Sequence, residues 1–351
     1  MDMTIDRRSS ASAQPATATP LVSVIVPTHR RPELLRRALR SVLAQTYPAI
    51  EIHVVENGAR AGAEQIVNEL GGVARGLSYH FVPRGNVCVA RNAGIERSRG
   101  AYCALLDDDD EWAPDKLALQ VARLEADREL GWIACRVWWQ TESPGPVRSF
   151  EQPAYQGPSS YADLVREGNL IWSTSCTVVR QECFARVGMF DPRYRYANDY
   201  ELYLRLARQF PFAILEEPLV RYYQHEGNMS RRRARQWRYV LKIYAALKPC
   251  PSLGLTASDI RKAMDRYCEW SLERALEAHE RGDDARASRY FFTALRYDPA
   301  IGLKIPWSRI NHPAYRVIRP YVHCALCGVR GWIKSRRHPG MPGSDDDRHE
   351  R

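Results

Sequence analysis

Between residues 21 and 106 short apolar runs alternate with helical patterns, and this alternation most limits the folds open to the chain. The run at residues 21–26 closes at Pro27, and after it Leu34, Leu35, Ala38, Leu39, Val42 and Leu43 fall on one face of a helix. Pro48 stops that helix, and residues 50–55 form a second apolar run ending in the turn formers Glu56, Asn57 and Gly58. A helix over 61–70, a strand over 77–82, a helix over 87–97 and a strand over 101–106 continue the series. Such alternation builds an α/β fold with an open, largely parallel sheet, whose ligands lie beyond the carboxyl ends of the strands. Residues 28–30, 56–58 and 107–110 are therefore expected to share one crevice.

Beyond residue 116 the pattern becomes mixed, with a helix over 115–128, a strand over 132–139, a Pro/Gly/Ser-bearing loop over 142–160 and a strand near 175–179. From about residue 235 only helical spacing remains. Segments 267–279 and 285–297 are joined by a turn at Gly282, Asp283 and Asp284, and a single hairpin is too little for a repeat array. The organisation expected is a disordered leader (1–20), a nucleotide-binding α/β domain (21–230), a helical C-terminal appendage (231–338) and a disordered tail (339–351). No apolar run approaches the ~18 residues of a membrane span, and the leader has no apolar core of the kind a secretory signal needs. The cytoplasm is the expected compartment. Nine cysteines without a repeating spacing suit reduced, mostly buried thiols, and His323, Cys324 and Cys327 lack the second pair that would complete a zinc site.

The strongest chemical signal is Leu105-Leu106-Asp107-Asp108-Asp109-Asp110-Glu111-Trp112. Carboxylates a few ångströms apart raise one another's pKa, so this cluster calls for a cation. Magnesium or manganese suits it, since hard divalent ions often bind one or two carboxylates and take their remaining ligands from substrate phosphates. The bland alternative is an acidic turn capping the helix that follows Pro114. A net charge of +10 also suits an anionic partner, with Arg231, Arg232, Arg233, Arg235, Arg238 and the stretch 330–337 holding much of the excess. No nucleic-acid-binding signature accompanies these arginines, so no nucleic-acid partner is expected. The phosphates of a sugar nucleotide, a lipid-linked acceptor or a membrane surface explain them as well, and residues 315–337 could lie on an anionic membrane as a peripheral contact.

A longer set of motifs runs in order along the chain: Val24-Ile25-Val26-Pro27-Thr28, residues 41–47, Ala90-Arg91-Asn92-Ala93-Gly94, residues 106–112, Gly188-Met189-Phe190-Asp191-Pro192, Asn198-Asp199-Tyr200-Glu201-Leu202, and Arg221-Tyr222 with His225. As a set it resembles the inverting family 2 glycosyltransferases of GT-A fold, over about residues 20–230. The resemblance implies transfer of a sugar from a nucleotide-sugar donor to the hydroxyl of a glycan, glycolipid or lipid-linked acceptor. It places Thr28, Arg30, Glu56, Asn57, Arg91, Asp107 and Asp108 on the donor, and Asp109 on Mn2+ or Mg2+ with His225 as a further ligand. Asp199 falls where the family has its general base. The family usually carries two aspartates where this chain has Glu56 and Asn57. An Asn carbonyl still accepts a hydrogen bond from a uracil N–H, which keeps a UDP-sugar the favoured donor. Trp112, Trp138, Trp139 and Trp172 are candidate platforms for a sugar ring.

Two other readings compete. A non-catalytic nucleotide-sugar binder of the same fold would need neither Asp109 nor Asp199. A nucleotidyltransferase should carry a Gly-rich loop after the first strand, and Pro27-Thr28-His29-Arg30-Arg31-Pro32 has no glycine.

Overall fold

The computed structural model describes residues 19–141, 149–151, 160–225 and 233–298. These divide into two units: Asn169–Glu226 joins the preceding chain up to Ser160 in the first, and Tyr161–Gly168 joins the chain from Gly227 onward in the second.

The first unit begins β1 (Val22–Thr28), α1 (Pro32–Leu43), β2 (Ile50–Asn57), α2 (Ala63–Glu69), β3 (Leu77–Val82), α3 (Val87–Ile95), β4 (Tyr102–Leu105), β5 (Glu111–Trp112) and α4 (Lys116–Ala126). β6 (Trp132–Thr141) and β7 (Ser149–Glu151) follow; after α5 (Tyr161–Glu167), which belongs to the second unit, come β8 (Val178–Arg180), α6 (Gln181–Val187), α7 (Asn198–Gln209) and β9 (Phe212–Gln224). One sheet has the order β3-β2-β1-β4-β8-β6-β9-β5, with β7 on β6. Every residue of β1 is buried, as a continuous apolar run in a two-sided parallel sheet requires. Its parallel neighbours β2 and β4 align Thr28 with Glu56 and Ile25 with Leu105, so the loops after β1, β2 and β4 leave the sheet at one edge. From β8 onward the sheet is mixed, because β8 runs antiparallel to both β4 and β6. This is the GT-A arrangement.

The structure adds what the sequence pattern concealed. β9 pairs in parallel with β6 over its whole length, yet Glu216, Glu217 and Pro218 interrupt its apolar rhythm. The register breaks beside Arg136, opposite Pro218, a bulge where the missing proline N–H removes no regular ladder bond. β7 lies inside the stretch expected to be a loop, and β5 is a two-residue strand within the acidic motif. α3 sits on β1 at Gly94, where an added Cβ would come within 2.5 Å of Ile25 Cγ2. Asn92, two residues earlier, donates to the Phe190 carbonyl at 2.8 Å and accepts from its N–H at 2.9 Å. Motifs about a hundred residues apart are therefore joined as backbone and side chain.

The second unit comprises α5, α8 (Arg233–Ala246), α9 (Ala257–Glu280) and α10 (Asp284–Tyr297). α9 starts ten residues before the expected 267, at a Thr256/Asp259 capping box; Asp259 also pairs with Arg166 of α5 at 3.1 Å. Tyr244 donates to the Val165 carbonyl at 3.1 Å, and Trp237, Tyr290, Tyr267 and Trp270 form an aromatic cluster in which Tyr267 and Tyr290 are buried and Trp270 is exposed.

No helix among the described residues is long and apolar enough to cross a membrane. Cys88, Cys103, Cys135, Cys176, Cys183 and Cys268 are free and buried, and Cys250 is free and half-buried. The leader through residue 18, Arg231, Arg232, the His323/Cys324/Cys327 trio, the basic stretches 315–337 and 330–337 and the tail lie outside the described residues.

Gly94→Ala is expected to lower stability by about 1–3 kcal/mol, the usual cost of forcing a methyl into a packed contact. Urea unfolding measures it, and a midpoint equal to wild type would mean that Ile25 yields without penalty.

Candidate active site

Three strand ends converge as expected. Thr28 Oγ1 donates to Asp108 Oδ2 at 2.7 Å, and Asn57 Nδ2 donates to the Thr28 carbonyl at 2.8 Å. Glu56 is turned back on its own loop, accepting from the Ala61 N–H at 2.6 Å and from the Tyr79 hydroxyl at 2.7 Å. Beside it lies a cleft of about 580 Å3 lined by Glu56, Arg60, Gln65, Asn68 and Tyr79. Arg30 is exposed at a left-handed turn (φ 54°), and its neighbour Arg31 instead reaches the aspartates.

The four aspartates have four different environments. Asp107 pairs with Arg91 at 2.5 Å. Asp108 accepts from Thr28 and lies 3.3 Å from Arg31 Nη1; burial and then the charge of Asp109 push its carboxyl up to about 7. Asp109 takes Arg31 Nη1 at 2.8 Å and His225 Nε2 at 3.1 Å on one oxygen. Burial pushes its carboxyl up, but the His225 hydrogen bond and the Arg31 charge outweigh this and hold it below the usual carboxylate range. Asp110 is sealed in, 1% exposed, with both Ser173 Oγ and Ser175 Oγ donating to Oδ2 at 2.6 Å. Burial and its acidic neighbours push its carboxyl well above the ordinary value.

Arg91 is 4% exposed, with its guanidinium committed to Asp107, to Asn198 Oδ1 at 2.7 Å and to Thr174 Oγ1 at 3.2 Å. It thereby ties the acidic loop to the first turn of α7, where Asp199 stands. Asp199 accepts from Asn169 Nδ2 at 3.3 Å, and burial raises its carboxyl above the ordinary value. Ala197, just before it, holds a left-handed backbone (φ 52°), an uncommon conformation for a residue with a Cβ that sets the direction in which α7 begins. Trp112 is no sugar platform: it is 4% exposed, its indole N–H bonds the Ser175 carbonyl at 2.9 Å, and the buried Lys116 ammonium lies 4.0 Å from its ring centroid.

Asp109 and His225 place an ionised carboxylate and an imidazole at one point. Among the described residues no group of three or more His, Cys, Asp or Glu side chains could hold a metal ion. The donor set fits a divalent ion that draws its other ligands from a bound diphosphate, and does not fit a closed structural site.

The acidic, cation-compensated loop lies beyond the carboxyl ends of the parallel strands of a GT-A sheet, where the ligands of open α/β sheets bind. Residues 23–187 match the family model described as glycosyl transferase family 2. An uncharacterized glycosyltransferase of Rickettsia typhi is 27% identical over 217 residues, covering 61% of this chain and 67% of the relative. In two further Rickettsia relatives the chain spans 59% and 35% of their length. Among solved structures, Staphylococcus aureus TarS 1-349 in complex with UDP-GlcNAc superposes with a TM-score of 0.54 at 14% identity, covering 79% of this chain and 91% of that one. The mannosyltransferase PcManGT from Pyrobaculum calidifontis, in complex with GDP-Man and Mn2+, gives 0.54 at 18% identity, covering 80% and 88%. At these identities the two structures establish the fold.

Sequence reasoning missed Arg31, Arg37, Asn169, Ser173, Ser175 and Asn198. One signal was legible, namely that so many adjacent carboxylates need cations from nearby loops. Arg31 and Arg37 supply them, Arg37 through the Asp109 carbonyl at 3.1 Å and Glu111 at 3.1 Å.

In the metal-free fold Asp108 ionises only near pH 7, whereas in the unfolded chain it ionises near 3.8, so its charge destabilises the fold as pH rises through that window. Asp108→Asn is therefore expected to raise the melting temperature over wild type more at pH 8 than at pH 5. An equal difference at both, measured by thermal scans in chelator, would contradict this account.

Proposed function

We propose that the chain is an inverting glycosyltransferase that moves a sugar from a nucleoside diphosphate sugar to an acceptor hydroxyl. The observation that carries this reading is the meeting of Asp109 and His225 on one carboxylate oxygen, 3.1 Å apart, beside the Thr28–Asp108 pair. Catalysis is assigned to residues 21–230, with 231–338 as a helical appendage.

Thr28, Asn57, Asp107 and Asp108 form the donor side, with Glu56 bounding the neighbouring cleft. Because Asn57 spends its amide N–H on the Thr28 carbonyl, its side-chain oxygen is left as an acceptor suited to a uracil ring N–H. This favours UDP-sugars. Arg91 contributes from beneath, by fixing Asp107, and the exposed Arg30 is available to a phosphate at the rim. Asp109 and His225 hold the divalent ion; an imidazole in the set suits manganese better than magnesium, which keeps to oxygen ligands. When bound, that ion neutralises charge developing on the leaving diphosphate.

Asp199 takes the proton of the acceptor hydroxyl. Its raised pKa makes it a stronger base than an exposed aspartate, and Asn169 orients the carboxylate. The acceptor oxygen forms its bond to the anomeric carbon as the bond to the diphosphate breaks, which inverts the configuration in one displacement. Glycans, glycolipids and lipid-linked sugars all offer such a hydroxyl.

Calorimetric titration with UDP tests the donor site. Binding is expected to require manganese and to disappear in Asp109→Ala, while Asp199→Asn keeps UDP affinity and loses about 10²- to 10⁴-fold in turnover. No heat with UDP, GDP or dTDP under any metal condition would overturn the reading.

A further inference from the structure

The outer face of α10 in the second unit carries an apolar ring between two cations. Phe292 is 57% exposed, and its ring meets Phe291 edge-on at 6.0 Å between centroids. At about 100° per residue it points away from Tyr290 and Ala294, which are buried, while the exposed Arg289 and Arg296, at i−3 and i+4, share its face. α8 packs beside this helix, with the Trp237 ring 5.5 Å from that of Tyr290. It contributes the exposed Arg238. Burial raises the Tyr297 hydroxyl, and the charges of Arg296 and Arg238 both oppose this, so the α8 cation lies beside the α10 stripe. α8 itself, from Arg233 to Ala246, contains no acidic residue. Among the described residues none of the guanidinium groups of Arg238, Arg289 and Arg296 has an ion pair, whereas Arg31, Arg91, Arg99 and Arg205 of the first unit each hold a carboxylate.

We propose that this face of the second unit, Phe292 with Arg289, Arg296 and Arg238, docks on an anionic lipid bilayer. Grouped cations without counter-ions repel one another, and an exposed ring orders water around it. One partner relieves both, a surface of phosphate groups over an apolar interior. The ring enters at the boundary between headgroups and acyl chains, and the flexible arginine stems lay their guanidinium groups on the phosphates. The attachment is peripheral, since no described helix is long and apolar enough to cross a membrane. A second copy of the chain fits poorly, because a two-fold interface here sets these arginines against their own equivalents. A nucleic acid would satisfy the cations, yet one ring on a convex helix face makes neither a groove nor a series of stacking platforms. No residue of the first unit takes part, so the inference stands apart from the glycosyltransferase reading.

The test is co-sedimentation of the full chain with vesicles of phosphatidylcholine, alone or with one third phosphatidylglycerol, at about 0.1 M and about 0.5 M salt. Wild type is expected to partition onto the anionic vesicles, less so at the higher salt, and not onto the neutral ones. Arg289→Glu combined with Arg296→Glu should lower partitioning by about tenfold or more, and Phe292→Ala by about tenfold. Arg261→Glu combined with Lys262→Glu, at two exposed cations of α9, makes the same change in net charge and should stay within about twofold of wild type. All these positions are exposed, so melting temperatures are expected to stay at the wild-type value. An equal loss in the α9 variant would assign the attraction to net charge and overturn the inference. Binding to no vesicle, equal binding to neutral ones, or Phe292→Ala within about twofold of wild type would overturn it too. So would a wild-type dimer in sedimentation equilibrium that Phe292→Ala dissociates, which would give the face to a second copy.

Discussion

The structure depends on how four consecutive aspartates are kept together at the end of β4. Left to themselves, carboxylates at this spacing in a buried loop would protonate or drive the loop apart. The fold answers each one separately, with Arg91 for Asp107, Thr28 and Arg31 for Asp108, Arg31 and His225 for Asp109, and two serine hydroxyls for Asp110. These partners come from the β1–α1 loop, α3, the end of β9 and the segment before β8, so satisfying the cluster draws most of the first unit toward one point. The outcome is graded: a carboxyl held below the usual carboxylate range at Asp109 stands next to one pushed well above it at Asp110. Identical residues in sequence become different chemical groups.

That convergence also accounts for motifs that look unrelated along the chain. Asn92 answers the Phe190 peptide group with both ends of its amide, and Gly94 is small because α3 presses on Ile25 of β1. Arg91, on the same helix α3, pairs with Asp107 of the acidic loop and reaches Asn198 at the start of α7. Had Arg91 been a ligand-binding cation, its guanidinium would need access to solvent; its burial makes it a positioning residue instead.

Much of this was legible beforehand, for physical reasons that differ by element. The β1-α1-β2 unit and the shared crevice followed from apolar runs long enough to show their period, with Pro27 and Pro48 as boundaries. Thr28, Asn57, Asp108, Asp109 and His225 were named from motifs and do meet in space. β9 was hidden because Glu216, Glu217 and Pro218 sit at a bulge, where the alternation that betrays a strand is suspended. Arg30 was preferred to Arg31 because no pattern signals a left-handed residue that is neither Gly nor Asn. Trp112 looked like a platform because adjacency in sequence carries no information about which face of a two-residue strand is buried. Asn169, Ser173 and Ser175 act across long sequence separations, which single-sequence periodicity does not record.

Their position carries a mechanical consequence. The segment 169–175 holds the Asp199 carboxylate through Asn169, the acidic loop through Ser173 and Ser175, and the Arg91 guanidinium through Thr174. Displacing the acidic loop therefore strains the same stretch of chain that orients Asp199. The acidic loop and the Asp199 carboxylate share a backbone support with little slack, since its residues other than Trp172 are buried or half-buried. In the proposed displacement, where leaving-group departure and proton removal coincide, such a support would set the distance between Asp199 and the acidic loop by packing.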